Sequence, residues 1–172
     1  MPLIKWIERS FNFNFPVELY PQVVERLRGA PARVEEYFNS APAEILAKHD
    51  DGRWSIQENA GHLFDLDALT LERVEQYVAG VPVLLPADIT NKATTAANYN
   101  DVASATIAES FRQRRMQIVQ RLESRDAELF ARSAVHPRLK VPFRLVDFCF
   151  FQAEHDDYHL ARINELLKLF GG

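Results

Sequence analysis

The strongest constraint on the fold lies at the C-terminal end of the chain. Leu145, Phe148, Gln152, His155, His159, Ile163, Leu166 and Phe170 recur at intervals of three and four residues. At about 100° per residue this spacing lays them in one stripe along an α-helix. Most of the stripe is apolar, so it faces a core, and a helix with one long apolar stripe must be covered by other packed elements. Three further segments read as helical: Val17–Phe38, the stretch opening at Ser55 and running to about Ala79, and Val102–Leu122.

Local signals set the boundaries. Ser55 followed by Glu58 is a capping-box pattern, in which the hydroxyl accepts from a free backbone N–H at the helix start. Gly80 and Pro82 end the second helix. Gly29-Ala30-Pro31 predicts a kink or break in the first. Pro82, Pro86 and Asn98-Tyr99-Asn100-Asp101 mark residues 80–101 as a long connection, and Pro142 reads as the first position of the last helix. Residues 124–142 hold room for one short helical turn. The expected fold is all-α: a four-helix bundle with a long crossover between helices 2 and 3, in a single domain over residues 1–172, without strands in its body.

Residues 1–16 stand apart. Phe11-Asn12-Phe13-Asn14-Phe15 alternates with period two and stops at Pro16, as an extended arm would. Such an arm could lie over the bundle or join two chains in a homodimer.

Composition excludes several classes. The formal net charge of −4 opposes binding to nucleic acid through phosphate attraction. No apolar run reaches the length of a membrane span. The N-terminus lacks the pattern of a secretory signal, and Cys149 is the only cysteine, so a reducing, cytoplasmic setting is expected. Cys149 lies well around the helix from the histidine stripe and reads as a packing residue. Arg112, Arg114 and Arg115 spread over two helix faces and read as solvated surface. His49, in a polar turn, reads as solvated too.

His155 and His159 are one helical turn apart on a core-facing stripe, where an imidazole needs a partner. His62 lies with Leu66 and Leu69 on the core side of the second helix. Three inward imidazoles suit one divalent metal ion, zinc or nickel above all, and leave a coordination position open. Glu58 and Asp65, one turn either side of His62, could orient the rings or add a ligand. Glu58 equally needs no metal to act as a cap. The alternatives are a structural or sensory ion closed by a fourth protein ligand, and a buried hydrogen-bond network of histidines with no metal.

Trp54-Ser55-Ile56-Gln57-Glu58-Asn59-Ala60-Gly61-His62-Leu63, with the later His155-x-x-x-His159, resembles the DinB superfamily of metal-dependent enzymes. The resemblance covers nearly the whole chain. It implies a four-helix bundle with a three-histidine site, which falls on His62, His155 and His159. It also implies a small-molecule substrate, with some members acting as thiol-dependent transferases or isomerases and others described as hydrolases. Gln152, Arg162, His136, Arg138 and Tyr158 are candidates to line the substrate opening. No residue is assigned as general acid or base.

Overall fold

The structure, a computed structural model, describes residues 3–171. Met1 and Pro2 of the predicted arm, and Gly172, lie outside the described residues. In chain order the elements are α1 (Tyr20–Asn39), α2 (Ala43–Leu46), α3 (Ile56–Ala79), α4 (Lys92–Ala97), α5 (Ser104–Glu123), α6 (Ala127–Ala131), β1 (Ser133–Val135), β2 (Pro142–Arg144) and α7 (Leu145–Gly171). The four long helices pack in a ring, α1 on α5, α5 on α3, α3 on α7 and α7 on α1. This is the expected four-helix bundle, and residues 80–103, with the short α4 inside them, form the long crossover. No helix among the described residues is long and apolar enough to cross a membrane.

The capping box forms as the sequence predicts. Ser55 Oγ accepts from Glu58 N at 3.1 Å, and Glu58 Oε2 accepts from Ser55 N at 2.8 Å. At the other end of α3, Gly80 adopts φ +71° and closes the helix, a conformation that favours glycine.

The helix is not broken at Gly29–Pro31; α1 runs continuously through Pro31. Proline has no N–H to give to the carbonyl four residues back, here that of Leu27. That carbonyl is buried and must find another donor. It accepts from Arg115 Nη1 of α5 at 3.1 Å. Arg115 is itself fully buried, so its reading as solvated surface is overturned. Its guanidinium also pairs with Asp67 of α3, at 2.8 Å from Nη2, and with Asp156 of α7. One side chain therefore ties α5 to α1, α3 and α7. The reason lies in its position: Ile107, Phe111, Arg115, Ile118 and Leu122 share the buried face of α5.

A second correction concerns strands. Residues 133–144 contain a short antiparallel hairpin, with Ala134 opposite Phe143, and Pro142 opens β2 instead of α7. Strands of three residues are too short to show a period. The hairpin is held from outside its own sequence. Tyr77 Oη donates to Phe143 O at 2.9 Å, and the start of the crossover pairs with β1 through Leu84 N to Val135 O at 3.1 Å.

The arm lies over its own bundle. Phe11 packs on Phe151, Phe13 on Phe143 and Phe15 on Phe150, with ring centroids 5.0, 4.7 and 5.2 Å apart. Arg144 Nη2 donates to the carbonyls of Phe13 and Phe15, both at 3.0 Å, and Arg9 pairs with Glu154. The three rings are partly buried by these contacts within the one chain.

Candidate metal centre

His62 stands in the second turn of α3, and His155 and His159 one turn apart in α7. Packing α3 against α7 brings the three rings together. One ring nitrogen from each histidine lies within 4.8 Å of the others, and all three side chains are buried. Nε2 of His155 and Nε2 of His159 are 3.2 Å apart. Two nitrogens on a tetrahedral ion at about 2.0–2.1 Å are separated by about 3.3 Å.

The hydrogen bonds behind the rings settle two of the tautomers. Asn59 Nδ2 donates to the carbonyls of Trp54 and Ser55, which leaves Oδ1 to accept from His159 Nδ1 at 2.8 Å. Thr94 gives its single hydroxyl proton to Asp65 Oδ2 at 2.8 Å, so its oxygen accepts from His62 Nδ1 at 3.1 Å. Both protons are therefore on Nδ1, and Nε2 of His62 and of His159 carries a lone pair. The facing nitrogens of the cluster share at most one proton, on His155. With the His155 proton on Nδ1, three lone pairs converge, the arrangement that a cation takes up. The donor set fits a divalent metal ion. His155 Nδ1 is buried without a hydrogen-bond partner among the described residues.

Burial keeps the imidazoles neutral, as ligands must be. Desolvation lowers His62 to about 4 and holds His155 and His159 well below the usual imidazole value, with mutual repulsion among the rings adding to it. Trp54 packs against His62, with centroids 4.7 Å apart, and Trp6 of the arm stands edge-on to His155 at 4.9 Å.

The histidines form the floor of a cavity of about 400 Å³, a volume suited to a small molecule. Trp6, Leu66, Leu69 and Phe151 supply apolar wall, and Pro86–Ile89 of the crossover stand at the mouth.

The DinB superfamily profile matches residues 26–163, four-fifths of the chain and all three histidines. The chain belongs to the DinB superfamily. Among solved structures it is similar to YfiT from Bacillus subtilis, described as a probable metal-dependent hydrolase with an unusual four-helix bundle topology. The two chains share 18% identity and superpose with a TM-score of 0.79, over 95% of this chain and 94% of that one. No curated protein matches the sequence.

Other residues singled out in this DinB-superfamily sequence fall into three groups. Gln152, Tyr158, His136 and Arg138 line the cavity with the histidines. Asp65 stands behind His62, joined to it through Thr94 and accepting also from Tyr99 Oη at 2.6 Å. Glu58 stays at the start of α3 as a cap, beside His49 at 3.4 Å, and Arg162 is engaged by Asp50 and Glu165 outside the cavity wall. His49 is half exposed but hydrogen-bonds Asn100 at 2.8 Å. Cys149 is fully buried, and desolvation pushes its thiol well up.

Thr94, Tyr99, Asn59 and Arg73 were not foreseen as site residues. The first two come from the crossover, where no periodicity reveals which side chains turn inward. Gly61 explains how Tyr99 reaches Asp65: a methyl group at that position would overlap the Tyr99 ring. Gly61→Ala should therefore displace Tyr99 and loosen the chain that fixes His62. The expected result is a stability loss of about 1–3 kcal/mol and roughly tenfold weaker metal binding, read by urea denaturation and by competition with a zinc chelator. Unchanged stability and affinity would refute this role for Tyr99.

Proposed function

We propose that His62, His155 and His159 hold one divalent metal ion, zinc or nickel, and that the protein is a metal-dependent enzyme acting on a small molecule in the cavity above it. The observation that carries this reading is the convergence of three neutral imidazoles on one point beneath that cavity. Among the described residues no fourth His, Cys, Asp or Glu joins the group. Three protein donors leave a position open, as catalytic sites do and closed structural sites do not. When bound, such an ion supplies Lewis acidity and activates a water or a thiolate as a nucleophile.

The chain's own residues do the rest. Asn59 and the Thr94–Asp65 pair hold the rings of His159 and His62 with their lone pairs forward. Trp6, Trp54 and Phe151 exclude water around them, and Gln152 and Tyr158 offer hydrogen-bonding groups to a substrate. Hydrolysis is the favoured reaction, supported by the fold shared with YfiT; transfer to or from a small thiol is the alternative that the open position also allows.

The test is turnover of a panel of ester, amide and thiol-conjugate substrates by wild type and His155→Ala, each with zinc or nickel supplied. Activity should be present in the wild type and lost in the variant. Turnover in the variant or in chelated wild type equal to that of the metal-loaded wild type would overturn the proposal.

A further inference from the structure

The wall of the cavity formed by α3 and the hairpin turn carries donors with no acceptor. Arg73 is buried, with 6% of its surface exposed. Its Nε and Nη2 both donate to Leu85 O, at 2.9 and 2.6 Å, and Nη1 has no hydrogen-bond partner among the described residues. No carboxylate there lies within ion-pair distance of Arg73 or of Arg138, which sits over the Phe151 ring at 5.7 Å. That is unusual here, since the other buried arginine, Arg115, has two carboxylates.

His136 adds a third donor. Its Nδ1 accepts from the backbone N–H groups of Arg138 and Leu139, at 3.3 and 3.1 Å. The ring proton is therefore on Nε2, which is buried and unpartnered among the described residues. Asp88, the one carboxylate lining the cavity among the described residues, already accepts from Thr90 N and Oγ1 and from Lys92 N. Burying a guanidinium without a counter-charge is unfavourable unless something supplies the charge. Arg73, Arg138 and His136 offer only donors, so the missing partner is an acceptor with negative charge.

We infer that Arg73, Arg138 and His136 form an anion-recognition subsite, and that the substrate is a small molecule with a carboxylate on an apolar stem. The carboxylate would face the two arginines while the stem packs on Leu66, Leu69 and Phe151, with the rest of the molecule extending toward the histidines. The inference rests on the cavity being the substrate site, but not on the metal.

The test compares hexanoate with its neutral isostere hexanamide, followed by the fluorescence of Trp6 and Trp54, which line the cavity. It uses chelated and zinc-loaded forms of wild type, Arg73→Gln and Arg138→Gln. Hexanoate should bind about tenfold tighter than hexanamide to wild type in both forms, and either substitution should remove most of that preference. Arg138 is exposed, so Arg138→Gln keeps the test open if Arg73→Gln fails to fold. Equal binding of the two ligands to wild type would overturn the inference. So would a preference that appears only with zinc and survives both substitutions, because the carboxylate would then be on the metal, leaving the metal reading intact. A preference that persists in metal-free His155→Ala would uphold the subsite whatever becomes of the metal.

Discussion

Arg115→Met should lower the unfolding free energy by about 3–5 kcal/mol, the range seen when one partner of a buried ion pair is removed. The substitution strands Asp67 and Asp156, both fully buried, and takes the donor from the Leu27 carbonyl that Pro31 left free. Burial pushes the Asp67 carboxyl up to about 6 even with the guanidinium beside it pulling the other way. Without Arg115, two buried carboxylates would be left without a counter-charge. Against a typical stability of about 5–15 kcal/mol the loss is large. Adding Asp67→Leu and Asp156→Leu should recover much of it, since a matched apolar core is often no worse than a buried ion cluster. Urea denaturation of the single and triple variants decides the matter. A single-variant loss below about 1 kcal/mol would show that the cluster does not tie the helices as described.

The second large effect is acid sensitivity of the chelated protein. Burial holds His62 and His136 at about 4 in the folded chain, against about 6.5 when unfolded. His155 and His159 are shifted the same way. The unfolded state therefore binds more protons below pH 6.5, and stability is present above that value and lost as pH falls toward 4. For His62 alone the limit is about 3 kcal/mol. Asp67 acts in the opposite sense between about 6 and 4, one group against four histidines. Melting temperature should thus fall steeply between pH 6.5 and 4.5 in chelated protein, and less so with zinc present near the top of that range. A flat profile would mean that the imidazoles are not buried neutral bases.

Much of this was readable from local pattern. The stripe from Leu145 to Phe170 gave α7 and the inward direction of His155 and His159, and Ser55 with Glu58 marked the start of α3 to the residue. These features depend on neighbours within one or two turns. The remainder depends on partners far along the chain. Arg115 meets Asp67 and Asp156 across 48 and 41 residues, and beside Arg112 and Arg114 it resembled an ordinary charged surface. Its place on the stripe of Ile107, Phe111 and Ile118 was the available signal. Arg73 carries the same signal, an arginine in line with Leu66, Leu69 and Tyr77 on the inner side of α3. Pro31 does not end α1, and the carbonyl it leaves without a helical donor is taken up by Arg115, a partner far along the chain. Thr94 and Tyr99 had no such signal, since the turn-rich crossover has no period.

Metal content decides whether His62, His155 and His159 hold one ion. Tag-free protein, exposed to zinc or nickel and desalted, should contain about one ion per chain by mass spectrometry, and His155→Ala prepared in the same way should contain none. No ion in either protein would contradict the account and leave a helical bundle with a buried histidine network.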